Sequence, residues 1–263
     1  MSSDQLTVLA PVTDHGAGIA LWISSWHDNM PVKGHGSMIE NPILSPGDPQ
    51  NPSALGAVLK WASRFNRAQL EPSARTPVII HENEQEVLYV VKGEGMFQSG
   101  ERKSEVLSPG IAILIPAGVP HSIVNSSATA SLEVLWLAEQ LDPGISGAKE
   151  LIIRDTRSLP VVVGAHWVHV GRIVFGRQDG LTKIHAVNIA TIPAMSIAEP
   201  HSHGVDQEEV WYQMHGNSYL FMGRTLRLQQ EGTAFMCPPD GHTPHSSINT
   251  TNEPVDFFFF AHW

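Results

Sequence analysis

Two stretches decide the fold: HSHGVDQEEVWYQMHG at residues 201–216 and GTAFMCPPDGHTPHSSIN at residues 232–249. Side chains two residues apart on a strand point to the same face, so His201 and His203 point inward together. A glutamate that opens the next strand and His245 on a later strand complete a set of three imidazoles and one carboxylate. This set predicts a mononuclear site for a divalent metal ion.

The same pattern occurs earlier in the chain, as HENEQEVLYVVKGEG at residues 81–95 and GIAILIPAGVPHSIVN at residues 110–125. The two halves align at a nearly constant offset. The aligned pairs are Glu86 with Glu209, Gly93 with Gly216, Gly110 with Gly232, His121 with His245, Asn125 with Asn249 and Asn66 with Asn188. Such a steady offset indicates a tandem duplication.

On these residues both halves resemble the cupin superfamily, whose two motifs are G(x)5HxH(x)3–4E(x)6G and G(x)5PxG(x)2H(x)3N. Residues 110–125 match the second motif at every fixed position, and residues 232–249 match it with one extra residue before His245. The resemblance covers about residues 56–263. It implies an all-β fold of two tandem duplicated cupin barrels, of the double-stranded β-helix or jelly-roll type. The short β-rich runs between turn signals favour the same class.

The chain is expected to divide into three segments. Residues 1–55, rich in glycine and proline, form an N-terminal arm that packs on the barrels. Residues 56–141 form the first barrel and residues 142–263 the second, with a linker in the turn-rich stretch near 142–147. The resemblance also implies a homodimer, in which the arms take part in exchange between subunits.

Composition narrows the class of partner. A net charge of −10 argues against a nucleic-acid partner, because phosphate-binding surfaces are basic. No apolar run is long enough to span a bilayer, and the first residues lack the pattern of a signal peptide. The single cysteine, Cys237, excludes an internal disulfide. We therefore expect a cytoplasmic protein with a small-molecule substrate and no membrane partner.

The carboxylate of the second barrel has two candidates, because Glu208 and Glu209 are adjacent and must face opposite sides of a strand. Counting forward from His203 favours Glu208, whereas the alignment with Glu86 favours Glu209. We expect Glu209 to be the ligand, with Glu208 as the alternative. Three imidazoles and a carboxylate suit Fe, Mn, Ni, Cu or Zn, so one such ion is expected in the C-terminal barrel.

The first barrel lacks one histidine. His81 stands five residues before Glu86, as the second histidine of the motif should, and Ile79 takes the position of the first. The remaining set is His81, Glu86 and His121. This set fits either a barrel that has lost its metal or a two-histidine, one-carboxylate site of the kind that binds non-haem iron. The apolar neighbours of Glu86 on its strand favour a weaker or degenerate site.

The resemblance implies a metal-dependent enzyme that acts on a small oxygenated organic molecule, with dioxygenase-like chemistry as the first expectation. Glu209 would act as a base, and Trp211 and Gln213, on the same strand face, would orient the substrate. The alternatives are a redox-neutral isomerase or lyase with a Lewis-acid metal, and a non-catalytic protein that binds sugars or other small ligands, because fold alone does not select a function. His169, outside the motifs, is expected to be a structural or surface residue.

Overall fold

The computed structural model describes residues 19–100, 103–164 and 167–263. This part of the chain is built from β-strands joined by turns, which confirms the expected all-β class. The helical segments in it are short 3-10 turns at Ile19–Trp22, Thr156–Ser158 and Arg177–Asp179. No helix within the described ranges is long and apolar enough to cross a membrane.

The strands are numbered in chain order. Those of the arm, the first repeat and the linker are β1 (Ile23–Ser25), β2 (Val32–Gly34), β3 (Met38–Pro46), β4 (Ala57–Leu59), β5 (Arg64–Leu70), β6 (Glu84–Lys92), β7 (Gly95–Ser99), β8 (Lys103–Leu107), β9 (Ile111–Ile115), β10 (His121–Asn125), β11 (Leu132–Gln140) and β12 (Ile152–Asp155). Those that follow are β13 (Val162–Val163), β14 (Val170–Gly176), β15 (Ala186–Ile192), β16 (Ser196–Ile197), β17 (Glu208–His215), β18 (Ser218–Met222), β19 (Thr225–Gln229), β20 (Thr233–Met236), β21 (His245–Asn249) and β22 (Val255–His262).

Each half of the chain forms two facing sheets. In the first half the larger sheet has the order β12-β9-β6-β11-β5-β3-β2, with β4 added to β3, and the smaller sheet has the order β10-β7-β8. In the second half the orders are β1-β20-β17-β22-β15-β14-β13 and β16-β21-β18-β19. Strands β6 and β17 lie beside β11 and β22 in the same way, as the duplication predicts.

Strands from outside each repeat complete both barrels. The arm is divided between them, because β1 pairs with β20 of the second barrel while β2 and β3 extend the sheet of the first. Strand β12, which follows the linker, pairs with β9 of the first barrel. The boundaries expected at residues 55 and 141 stay a prediction, as does the homodimer.

The run Phe257–Phe260 shows how one strand serves two cores. Phe258 and Phe260 pack with Phe65 of the first barrel in the core between the barrels. Phe257 and Phe259 point the other way, into the second barrel. This division follows from the two-residue period of a strand, and it places aromatic rings both behind and beside the site of the second barrel.

The asparagine that ends each second motif closes its barrel by hydrogen bonds. Asn249 is buried, and its Oδ1 accepts the backbone N–H of Thr251. The side-chain amide of each asparagine donates to three backbone carbonyls, those of Leu70, Glu71 and Ala130 for Asn125, and those of Ile192, Pro193 and Glu253 for Asn249. The identical pattern in both halves shows why this motif residue recurs: its role is structural.

Replacing Asn249 tests this role. Asn249→Ala removes the amide and leaves buried carbonyls without a donor, so we expect the free energy of unfolding to fall by about 2–4 kcal/mol. The control is Asn252→Ala, because Asn252 is exposed in the adjacent turn. Urea denaturation should show a change within about 0.5 kcal/mol for the control. Equal stabilities of the two variants would contradict the assignment.

Candidate metal centre

The structure brings together the four residues expected in the second barrel. His201 and His203 lie in the segment that leads into β17, Glu209 is on β17, and His245 begins β21. An isolated bridge joins the backbones of His201 and His245. The ring centroids of these two histidines are 4.3 Å apart, and that of His203 lies 4.9 Å from His201 and 5.1 Å from His245. The three imidazoles therefore surround one point.

The three imidazoles present Nε2 atoms to the same carboxylate oxygen. Nε2 of His203 and of His245 each lie 3.3 Å from Oε1 of Glu209, and Nε2 of His201 lies 4.0 Å from it. On the other side of its ring, Nδ1 of His201 lies 2.9 Å from the carbonyl oxygen of Glu199, to which it donates. A carbonyl that holds Nδ1–H leaves Nε2 as a lone-pair donor, the tautomer that a metal needs.

The surroundings of Glu209 keep its carboxylate ionised and fixed in position. Burial alone would raise the pKa of Glu209, but the imidazoles of His203 and His245 outweigh burial and hold that pKa well below its usual value. The indole Nε1 of Trp211 donates to Oε1 at 2.7 Å. Burial, with the charge of Glu209, raises the pKa of Cys237 well above its usual value, so this neighbouring thiol stays neutral.

A divalent cation fits this set of residues. Within the described chain, Nε2 of His203 and Nε2 of His245 are buried and make no hydrogen bond of good geometry. Buried nitrogens without a partner are costly, and a cation between them would accept their lone pairs. Three imidazole nitrogens and one carboxylate oxygen are donors that Fe, Mn, Ni, Cu and Zn all accept, so the donor set does not select one of them.

The alternative carboxylate, Glu208, lies on the opposite face of the strand. Its side chain accepts the backbone N–H groups of Lys60 at 2.6 Å, Trp61 at 3.0 Å and Ala62 at 3.0 Å. Burial raises the pKa of Glu208 to about 7, although these N–H groups act against the rise. Glu208 therefore links the two barrels. The two-residue period of β17 turns Glu208 away from the imidazoles, which supports Glu209 as the predicted ligand.

Gln213 also lies away from the metal residues. It is fully buried, its Nε2 donates to the carbonyl of His215 at 2.9 Å, and its Oε1 accepts from the hydroxyl of Ser218 at 2.7 Å. Gln213 is on the same face of β17 as Glu209, as predicted. It is four residues further along the strand, and its side chain is buried inside the barrel. That Gln213 orients a substrate stays a prediction, and its hydrogen bonds to His215 and Ser218 would have to be exchanged for one to the substrate.

A cavity of about 510 Å3 opens onto His203 and Glu209. A volume of this size suits a small organic ligand. Most of its wall is apolar or aromatic, and the principal residues of that wall are Val170, Ile173, Ala190, Trp211, Phe259 and Trp263. Besides the metal ligands, the polar residues that line it are His169, Arg172, Asn188 and Gln207. Trp211 thus lies at the position expected from the sequence, between carboxylate and cavity.

Two residues that line the cavity, His169 and Asn188, were not predicted as site residues from the sequence. His169 is buried, lines the cavity, and has its ring centroid 5.0 Å from that of Trp211, so it is neither a surface residue nor remote from the site. Asn188 lies opposite Phe259 in the β15–β22 pairing, and its buried Oδ1 makes no hydrogen bond within the described chain. The alignment of Asn188 with Asn66 was a signal for it, whereas no motif marks His169.

Arg172 also lines this cavity, but its side chain does not start on the sheet face that carries the Asn188 side chain. It pairs with Ile189, whose side chain packs in the core between the barrels, whereas Ile173 pairs with Asn188. Cross-strand partners point to the same face of a sheet. The side chain of Arg172 therefore starts on the opposite face of β14.

In the first barrel the predicted set gathers around Glu86. Nε2 of His81 lies 3.6 Å from Oε1 of Glu86, and Nε2 of His121 lies 3.7 Å from Oε2. A bridge joins the backbones of Ile79 and His121, just as one joins His201 and His245 in the second barrel. Ile79 thus occupies the position of the first histidine, as the alignment predicts.

A third imidazole in the first barrel comes from the arm and was missed in the sequence. His35, in the turn between β2 and β3, places Nε2 3.0 Å from Oε1 of Glu86 and contacts Glu40 through Nδ1. Its ring stacks on Trp136, with centroids 4.1 Å apart. Burial alone would lower the pKa of His35, but the carboxylates of Glu40 and Glu86 raise it to about 9. No spacing rule connects His35 to the motif, because it lies outside the repeat.

Comparisons with known proteins agree with this architecture. Residues 66–138 match the family model described as Cupin domain. Solved structures with similar folds include a putative glyoxylate-induced protein from Pseudomonas aeruginosa, with a TM-score of 0.68, 16% identity, and coverage of 85% of this chain and 79% of that one. Another is the formate complex of Lactobacillus farciminis oxalate decarboxylase, with a TM-score of 0.67, 16% identity, and coverage of 96% of this chain and 88% of that one. A third is protein YlbA from E. coli, with a TM-score of 0.62, 14% identity, and coverage of 89% of this chain and 94% of that one. No curated protein sequence matches the chain.

The two adjacent glutamates provide a direct test of the ligand set. We expect Glu209→Gln to lower the affinity for Zn2+ by at least about tenfold, because it removes the anionic donor that faces the imidazoles. Glu208→Gln should retain the affinity and lose stability instead, because only the link to Lys60–Ala62 is weakened. Zinc titration monitored by calorimetry measures the first effect, and thermal unfolding the second. Loss of zinc affinity in Glu208→Gln alone would reverse the assignment.

Proposed function

We propose that this chain, whose residues 66–138 match the cupin domain model, is a metal-dependent enzyme whose second barrel acts on a small oxygenated organic molecule. The observation that carries the proposal is the cavity that opens directly onto His203 and Glu209. A candidate metal site beside such a cavity has room for a substrate next to the ion. A site that serves only stability is closed around its metal by protein ligands.

His201, His203, Glu209 and His245 would hold the metal ion in this barrel. Such an ion would supply Lewis-acid chemistry, and also redox chemistry if it is iron. Trp211 fixes the orientation of the carboxylate through its hydrogen bond to Oε1. His169, in the cavity wall, is placed to carry a proton to or from a bound molecule, with Glu209 as the base expected from the resemblance.

The cavity wall indicates the class of substrate. Aromatic and aliphatic side chains dominate it, so the bound molecule should have an apolar, preferably aromatic, body. One or two oxygen atoms of that molecule would face the metal residues. Oδ1 of Asn188, buried without a partner, would accept a hydrogen bond from a hydroxyl or amine of the substrate. A sugar, whose hydroxyls all need partners, fits this wall poorly.

Dioxygenase-like chemistry is the reaction class that this cavity favours. In such a reaction both atoms of O2 enter the organic substrate, so no external reductant is required. An apolar cavity suits an aromatic substrate together with O2, which is itself apolar. The second candidate is a redox-neutral isomerase or lyase, favoured by the single observation that His169 lies where it could move a proton.

The proposal is tested by His201→Ala in protein loaded with Fe2+. Catechol, an aromatic ring with two adjacent hydroxyls, is the probe, and oxygen uptake is the measurement. We expect the variant to lose both iron and oxygen uptake, because one of three nitrogen donors is gone. The control is His242→Ala, since His242 is exposed in the loop before His245. Oxygen uptake retained in His201→Ala would contradict the proposal, and anaerobic turnover of a substrate by the Zn2+ form would select the second candidate.

Filling the cavity should separate substrate binding from metal binding. Ala190→Leu adds side-chain volume to the cavity wall, so we expect catechol affinity for the Zn2+ form to fall at least about tenfold while zinc content is unchanged. The matched control is Ala128→Leu on an exposed turn. Calorimetric titration measures both. An unaltered affinity in Ala190→Leu would show that the substrate binds elsewhere.

A further inference from the structure

We propose that the first barrel holds a second divalent metal ion, and that His35 of the N-terminal arm supplies the imidazole that Ile79 replaces in the motif. This ion is structural: it ties the arm to the barrel and leaves no open position for a substrate. The proposal is independent of the reaction in the second barrel.

Three imidazoles face the carboxylate of Glu86, two of them (His35 and His81) at Oε1 and the third (His121) at Oε2. The Nε2 atoms of His35, His81 and His121 lie 3.0, 3.6 and 3.7 Å from the nearer oxygen of Glu86. In the second barrel the corresponding distances to Glu209 are 3.3, 3.3 and 4.0 Å. Donor atoms of His35, His81 and Glu86 all lie within 4.8 Å of one another, with His121 on the other side of the carboxylate.

Three of these donor atoms are buried and lack a hydrogen bond within the described chain. They are Nε2 of His81, Nε2 of His121 and Oε2 of Glu86. Hydrogen bonds inside the protein therefore leave the site incomplete, although His121 and Glu86 are almost fully buried. We expect a cation bound to the carboxylate of Glu86 to give these atoms a partner, whereas leaving them unpaired costs free energy for each.

The Nδ1 atoms of His35 and His121 have the hydrogen-bond partners that are typical of metal-bound histidines. Nδ1 of His35 contacts the carboxylate of Glu40, which in turn accepts the side-chain amide of Asn66 at 2.7 Å. Nδ1 of His121 donates to the carbonyl of Val119 at 3.0 Å. A carboxylate or carbonyl behind the ring fixes its orientation and makes Nε2 a better donor.

The charges around the site also call for a dication. Three carboxylates meet there, those of Glu40, Glu84 and Glu86, and one guanidinium, that of Arg64, pairs with Glu84 and Glu86. Without a metal ion, the raised pKa of His35 keeps it protonated and leaves an excess of one negative charge. With His35 neutral, as a metal ligand must be, the excess is two negative charges. A divalent ion balances them, which an uncompensated buried cluster could not otherwise achieve without a large cost.

The arm fills the space that is a cavity in the second barrel. Asn66 and Trp136 of the first barrel correspond to Asn188 and Phe259 of the second, both of which face the cavity. In the first barrel Asn66 holds Glu40, and Trp136 is stacked against His35. The residues of the first barrel that correspond to the cavity wall therefore contact the arm, where the second barrel has open space. A metal closed in by protein donors is typical of structural sites.

Metal counting decides the proposal. The full chain is loaded with Co2+, desalted, and analysed for cobalt per chain and for cobalt absorption in the visible. We expect two equivalents in the wild type, one in His35→Ala, one in His201→Ala, and none bound stably in the double variant. His27→Ala, which alters another histidine of the arm near the second barrel, should keep two.

One cobalt per chain in the wild type, or two in His35→Ala, would overturn the proposal. The first result would mean that Arg64 and a protonated His35 neutralise Glu86 without a metal. Circular dichroism checks that each variant is folded. If His35→Ala does not fold, His121→Ala provides the same count, because it removes a donor from the other side of Glu86: one equivalent supports the second ion, and two equivalents contradict it.

Discussion

Glu209 carries a carboxylate that is almost fully buried in the second barrel. Without partners such a charge would be too costly to bury, so the residues around it are arranged to compensate it. Three imidazoles face it, and the indole of Trp211 donates to it. Strand register, the loop before β17 and the cavity wall all follow from holding these groups in place.

Duplication has produced two barrels with the same frame and different contents. The buried Asn125 and Asn249 make equivalent hydrogen bonds, so the scaffold is repeated closely. The contents differ because the arm contacts the two barrels differently. Strands β2 and β3 extend a sheet of the first barrel, and the turn between them brings His35 to Glu86, whereas β1 adds an edge strand to the second barrel. The open cavity is therefore a property of the second barrel.

Glu208 and Glu209 show how one step along a strand separates two roles. Glu209 faces the imidazoles, while Glu208 faces the other barrel and accepts three backbone N–H groups from Lys60–Ala62. The link between barrels and the candidate metal centre are thus built from adjacent residues of β17. A shift of register by one residue would destroy both, since it would exchange the two faces.

The sequence by itself determined what depends on local periodicity and spacing: the duplication, the all-β class, the opposite facing of Glu208 and Glu209, and the presence of Ile79 at the position of a histidine. Those features follow from the two-residue period of strands, which a chain carries in its own order. Only the tertiary structure decided which distant residues meet these strands. It brought His35 to Glu86 and His169 to the cavity, and it enclosed Gln213 in hydrogen bonds, because contacts between segments far apart in the chain are set by packing.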